Sequence, residues 1–351
     1  MLYQLYAGSY TGMGNAEGIY QAKLDTEKGK LRLIRTYRES DNPSFLAAGR
    51  DYLYAVSERE EDGMVSAYKR NPADGTLTFL NSVTTKGTAM CHINVWPGGK
   101  YFSAANYMSG SVFTGSIGED GYVGEVCAFC QHSGVGYYNT TRQEGPHVHC
   151  TQLSEDGRRL YVSDLGLDQV FCYDVGEDAS LTPAGERAQI RLPKGEGPRH
   201  FIFRNRGRFL YVTAELGNKV FVYETKDGGL SYQNIQAAST LPEGYAGENT
   251  AADLHFSGDG RFLYVSNRGM DSLVLYEADK ASGRLKTKGY YDVYGCCPRN
   301  FCITPDGGYI LIANQTSGNI ALCRRDAETG GICGMADELL VPQASFVTVM
   351  E

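Results

Sequence analysis

Arg199–Val220 reads RHFIFRNRGRFLYVTAELGNKV. It divides into an apolar run at Phe201–Phe203, a turn at Asn205–Gly207, a second run at Phe209–Ala214 and a third that begins at Lys219. Apolar alternation with a period of two is what half-buried strands require. The glycine-bearing turn is short enough to make the first two runs an antiparallel hairpin. Its strongest charges, Arg199 and Glu215, flank the open end, so they are expected to be neighbours in space although sixteen residues separate them.

Working outward, the same order recurs. CHINVWPGGKYFSAANYMSGSV begins at Cys91, HCTQLSEDGRRLYVSDLGLDQV at His149, ADLHFSGDGRFLYVSNRGMDSL at Ala252 and RNFCITPDGGYILIANQTSGNI at Arg299, with a weaker copy, NPSFLAAGRDYLYAVSE, at Asn42. The second strands end at Ser57, Asn106, Asp164, Ala214, Asn267 and Asn314, giving steps of 49, 58, 50, 53 and 47 residues. The long step is assigned to an inserted segment around Gly115–Arg142. A period of roughly 40–50 residues suits four-stranded propeller blades, and the i, i+3, i+4 spacing of helical repeats is missing. At the N-terminus YQLYAGSYTG matches a second strand, with GIYQAKLD and KLRLIRTY after it; the first strand this unit lacks is supplied by ASFVTVM at the other end. The expected fold is therefore all-β: one seven-bladed β-propeller domain over residues 1–351, its four-stranded antiparallel blades closed into a ring by the C-terminal strand, which protects the edges.

Composition agrees. Of 351 residues 42% are hydrophobic and 21% charged, and 25 Tyr and 43 Gly stand against 11 Pro, a balance that favours strands and turns. The net charge of −8 argues against nucleic acid as a partner. MLYQLYAGSYTG lacks the basic start and apolar region of a signal peptide, and no run is long enough to span a bilayer, so a cytoplasmic protein with no membrane partner is expected. The ten cysteines are then read as reduced and mostly buried. Cys127, Cys130 and His132 form at most a weak zinc signal, and no metal is assigned.

In a blade, the start of strand one and the end of strand two share a face. The repeats place Cys91, His149, Arg199, Ala252 and Arg299 at the first position and His92, Cys150, His200, Asp253 and Asn300 next to it. After strand two come Tyr10, Glu58, Tyr107, Leu165, Glu215, Arg268 and Gln315. His149, Arg199, Glu215, Arg268 and Arg299 are thus expected around one channel mouth, where loops on a rigid scaffold carry function. His147 is read as a solvent-facing residue before the strand. Taken singly, each charge is a solvated strand end, and Arg199 with Glu215 is equally a structural ion pair.

GPRHFIF…YVTAELGN, AADLHFSGDGRFLYVSNRG, CHINVWPGGKYFSAANYMSGSV and PRNFCITPDGGYILIANQ together resemble the propeller-type 6-phosphogluconolactonase family, which is itself similar to the fungal carboxymuconate lactonising enzyme. The resemblance runs almost end to end. It implies catalytic roles for His149, Arg199, Glu215 and Arg268, with His92, Tyr107, His200, Asp253, Arg299 and Gln315 as substrate contacts. The implied reaction is hydrolysis of 6-phosphoglucono-1,5-lactone, a small anionic sugar lactone, without a cofactor. Either His149 or Glu215 is open as the base, histidine being better matched to neutral pH and Glu215 to holding an arginine. A muconate-lactonising enzyme and a non-catalytic propeller scaffold are the alternatives.

Overall fold

The computed structural model describes residues 1–136 and 138–350. Seven antiparallel sheets, with a 3₁₀ turn at Glu186–Ala188 as the one helical element among the described residues, make a seven-bladed β-propeller. The chain packs as two compact units.

The first unit comprises Met1–Ser44, Asn218–Val222 and Ile235–Glu351. Here Ala344–Met350 lies antiparallel beside Leu2–Ser9, pairing Leu5 with Val349 and Tyr6 with Thr348, and Ile19–Asp25 and Lys30–Tyr37 continue the sheet outward. The two ends of the chain therefore complete one blade, as expected. Leu5, Ala7, Ala22, Leu24 and Val347 pack with Leu311, Ala313, Ile320 and Leu322 of the neighbouring sheet in one fully apolar cluster. Each such large side chain contributes about 1.5–3 kcal/mol by leaving water.

The second unit comprises Phe45–Gly217 and Tyr223–Asn234. Its sheets begin at Leu46, Met90 and Val148, and it holds the hairpin Pro198–Arg204 and Phe209–Ala214. Between two sheets Ala105, Val112, Val148, Leu160 and Val162 are buried with Trp96. The Trp96 indole N–H donates to Ser103 Oγ at 3.1 Å and that hydroxyl meets Thr151 Oγ1 at 2.9 Å, so the polar atoms in this core are satisfied.

Two expectations need correction. Most of Gly115–Arg142 is no insertion: Ser111–Ile117 and Val123–Gln131 are the ordinary third and fourth strands of their blade. The extra length is the segment 132–147 that follows them. The ten free cysteines are also less buried than expected: Cys91, Cys150, Cys172 and Cys323 are buried, but Cys296 and Cys333 are exposed.

Candidate active site

The strand-one residues singled out by the repeat sit on β-bulges. The register with strand two shifts between Met90 and His92, between Val148 and Cys150, between Pro198 and Phe201, between Ala251 and Leu254, and between Pro298 and Asn300. Cys91, His149, Arg199–His200, Ala252–Asp253 and Arg299 are the residues inside those shifts. A bulge bends the strand and re-aims a side chain, so each blade turns its first residues out of the regular pleat. A second bond fixes the partner position. The N–H after strand two donates to a carbonyl just before strand one: Tyr107 to Ala89 at 2.9 Å, Leu165 to His147 at 2.9 Å, Glu215 to Gly197 at 2.7 Å and Gln315 to Cys297 at 2.9 Å. Gly197 makes this bond at φ 62°, a conformation that a side chain disfavours.

In the second unit this geometry brings Arg199 and Glu215 into contact. Arg199 Nε lies 2.8 Å from Glu215 Oε2, with both side chains 2% exposed. The other carboxylate oxygen, Oε1, accepts from Arg142 Nη2 at 2.5 Å. Arg142 also donates to Tyr107 Oη, from Nη2 at 3.1 Å and Nε at 3.4 Å. Burial works against the Arg142 charge, but Glu215 and Tyr107 outweigh it and push its pKa above the ordinary value. The Tyr107 phenol is raised, mainly by burial.

The histidines continue from there. His147 stacks on Tyr107 with ring centroids 4.5 Å apart and planes 19° apart, and His149 meets the same ring edge-on at 5.6 Å. His149 touches His200 at 5.2 Å, His200 touches His92 at 5.6 Å, and Phe45 closes the row 4.4 Å from His92. Hydrogen-bond roles separate these rings. A guanidinium can only donate, so His200 Nε2, 3.4 Å from Arg199 Nη1, is an acceptor. His92 Nδ1 accepts from the Thr151 N–H at 3.4 Å, which leaves its Nε2–H facing Cys150 Sγ at 3.5 Å. His147 faces two acceptors, the Tyr107 carbonyl at 3.1 Å and Glu144 Oε1 at 3.0 Å. It is 4% exposed, not the solvent-facing residue that its place before the strand suggested.

Residues on both sides of Arg142 are tied down. His132 bonds Asp164 Oδ2 through Nδ1 at 2.7 Å and Tyr173 Oη through Nε2 at 2.8 Å. Both its nitrogens are thereby engaged, and it does not join Cys127 and Cys130, which pack on an apolar cluster with thiol pKa values raised by burial. Asp164 Oδ1 accepts the His147 N–H at 2.8 Å. Gln143 donates to Asp168 Oδ1 at 2.8 Å, and the same carboxylate accepts the N–H groups of Gly195 and Gly197 at 2.7 Å each. Asp168 thus couples the segment carrying Arg142 to the loop leading into Arg199. Sequence reading passed over Arg142 and Asp168. Arg142 stands in RQEGPHVH, five residues before the first of two strand-start histidines, and that charge was the available signal.

The remaining candidates lie in the first unit. Arg268 is half-buried and donates to the Ala251 carbonyl at 3.3 Å. Arg299 stacks over the Tyr10 ring at 5.2 Å. Asp253 is engaged by Asn300 Nδ2 at 2.6 Å, His255 Nε2 at 2.8 Å and the Leu254 N–H at 3.0 Å. Gln315 is half-buried, with Cys297 Sγ 4.0 Å from its Oε1. Among the described residues no group of three His, Cys, Asp or Glu side chains is arranged to hold a metal, and no helix is long and apolar enough to cross a membrane.

Known proteins share this architecture. Residues 4–349 match the family described as "Lactonase, 7-bladed beta-propeller". The chain is 33% identical to the 6-phosphogluconolactonase of Bacillus subtilis, covering 96% of this chain and 95% of that one, and 33% identical to that of Formosa agariphila, covering 97% and 98%. The solved structure of the periplasmic gluconolactonase of Pseudomonas aeruginosa superposes with a TM-score of 0.92 at 32% identity, covering 100% of this chain and 99% of that chain. The names of these relatives differ in whether the lactone carries a phosphate.

Proposed function

We propose, since this chain belongs to the seven-bladed β-propeller lactonase family, that it is a hydrolase opening a sugar δ-lactone, 6-phosphoglucono-1,5-lactone, to 6-phosphogluconate in the cytoplasmic pentose phosphate pathway. The observation that carries the mechanism is the Glu215 carboxylate with one oxygen on Arg142 and the other on Arg199. A carboxylate held between two guanidiniums is a poor proton acceptor. Glu215 is therefore assigned to positioning the arginines, and the base is assigned to His149.

In this mechanism His149 takes a proton from water as the oxygen attacks C1 of the lactone. The carbonyl oxygen becomes an oxyanion, stabilised by the Arg199 guanidinium. Collapse re-forms the C1 carbonyl and breaks the bond from C1 to the ring oxygen, which leaves as an alkoxide and receives the proton from the His149 imidazolium. The new carboxylic acid gives its own proton to solvent. A positioned base contributes typically about 10²–10⁴-fold, and one oxyanion donor on the order of 3 kcal/mol. Because a δ-lactone opens unaided in water, that combination is sufficient without a covalent nucleophile. Arg268, Asp253, Arg299 and Gln315 enter this proposal through the blade repeat.

The test is the rate of 6-phosphoglucono-1,5-lactone opening above the spontaneous background for wild type, His149→Ala, Arg199→Ala and Arg268→Ala. The expected result is acceleration by wild type and a loss of at least 100-fold in His149→Ala with the melting transition retained. Wild type no faster than background would end the lactonase reading.

A further inference from the structure

We infer that Arg142 is the residue that recognises an anionic substituent on the lactone, a phosphate ester set beside the reacting carbonyl; this rests on the lactonase reading above. Four observations converge on it.

The first is charge. Arg142 and Arg199 share one carboxylate, Glu215, so the trio carries one net positive charge. A negatively charged substituent is drawn to two guanidiniums set side by side. The second is exposure. Arg199 and Glu215 are 2% exposed, whereas the Arg142 side chain is 36% exposed, so Arg142 is the member of the trio most open to a charged substituent arriving from solvent. The third is unused donor capacity. Arg142 spends Nη2 on Glu215 and Tyr107 and Nε on Tyr107, while Nη1 makes no hydrogen bond among the described residues. The two N–H groups of Nη1 suit the oxygens of a phosphate, to which each can donate a charge-assisted hydrogen bond.

The fourth is position relative to the chemistry. Tyr107 holds Arg142 at its hydroxyl end and meets His149 with its ring, so one tyrosine side chain separates the assigned base from the Arg142 guanidinium. In a 1,5-lactone the carbonyl at C1 and the 6-substituent on C5 flank the ring oxygen, so the phosphate ester reaches a position set beside the one that holds the carbonyl. The anchors flanking Arg142, Gln143 on Asp168 and His147 on Asp164, hold its backbone in place before any ligand arrives, which lowers the ordering cost of binding. The segment that carries Arg142, a long departure from the blade repeat, thus supplies the specificity of the site.

The experiment compares kcat/KM for 6-phosphoglucono-1,5-lactone and for glucono-1,5-lactone in wild type, Arg142→Ala and Arg142→Lys. The readout is the ratio of the two constants, which a general loss of fold or of catalysis does not move. Losing a charge-assisted contact lowers the ratio in Arg142→Ala by roughly 10- to 100-fold. Arg142→Lys keeps the charge without the Tyr107 and Glu215 bonds that orient Nη1, and falls between. Calorimetry with 6-phosphogluconate and gluconate gives the same comparison without turnover, and the affinity for 6-phosphogluconate is expected to fall by a similar factor. If wild type is active and Arg142→Ala leaves the ratio within about twofold, or lowers both constants equally, the inference is wrong while the lactonase reading stands. If wild type opens neither lactone, that reading fails first and takes this one with it.

Discussion

Replacing Glu215 by Gln tests both the architecture of the site and the division of labour within it. Gln keeps the shape of Glu and one acceptor oxygen, but its amide nitrogen must then face a guanidinium, donor against donor. Arg199 is 2% exposed and loses the carboxylate beside its Nε, whereas Arg142 is 36% exposed and recovers part of its solvation. Removing one partner of a buried pair costs about 3–5 kcal/mol, and the Arg199 side of the trio places the cost at about 3 kcal/mol. With an unfolding entropy of about 2.1 cal/mol/K per residue, that lowers the Tm of a protein this size by roughly 4 °C. The assay is differential scanning calorimetry at two scan rates, run with Arg142→Met and the double variant. Removing one of the two crowded guanidiniums relieves the other, so the double variant should be more stable than the sum of the single changes by at least about 0.5 kcal/mol. In the lactonase assay Glu215→Gln should lower kcat/KM yet keep the acid limb of the pH–rate profile, because that limb belongs to His149. A Tm within about 1 °C of wild type, or loss of the acid limb in Glu215→Gln with its retention in His149→Ala, would refute the reasoning.

Two further outcomes follow from contacts outside the reacting groups. Asp168→Ala strips a carboxylate from the N–H groups of Gly195 and Gly197 and from Gln143, and should destabilise by about 2–4 kcal/mol; hydrogen exchange should rise first at 195–197, and unchanged exchange there would show that Asp168 does not couple the two segments. His255 illustrates a pH dependence: burial lowers its pKa, but the Asp253 carboxylate 2.8 Å away outweighs burial and raises it above the usual value. Its stabilising charge is therefore fully present below the unfolded histidine pKa of about 6.5 and is lost as pH rises through the higher folded value. With the side chain 38% exposed the effect is below about 1 kcal/mol, and His255→Asn should flatten the Tm against pH between about pH 6 and 8, a slope identical to wild type being the contrary result.

The sequence by itself determined the fold, because blade formation is a local matter repeated seven times. Period-two alternation, a glycine turn and a second strand ending at Ser57, Asn106, Asp164, Ala214, Asn267 or Asn314 can be read within each repeat. Even the pairing of Ala344–Met350 with Leu2–Ser9 followed from counting strands, since one blade was short by the strand left over at the other end. Repetition also singled out Arg199 and Glu215 as neighbours, for the hairpin geometry that joins them is set by their own blade.

What only the tertiary structure decided is what meets those residues from outside their blade. Arg142 sits in a segment that no repeat predicts, and its bond to Glu215 spans 73 residues, so no periodicity could announce it. His147 looked exposed because sequence gives a residue's place in its strand but not the Tyr107 ring that covers it from the blade before. Nor could residue type alone separate the histidines, since His92, His147, His149 and His200 differ in the donors and acceptors that their neighbours turn toward them. Period and turn chemistry are properties of the chain, whereas the state of a titratable group belongs to the space that several blades enclose.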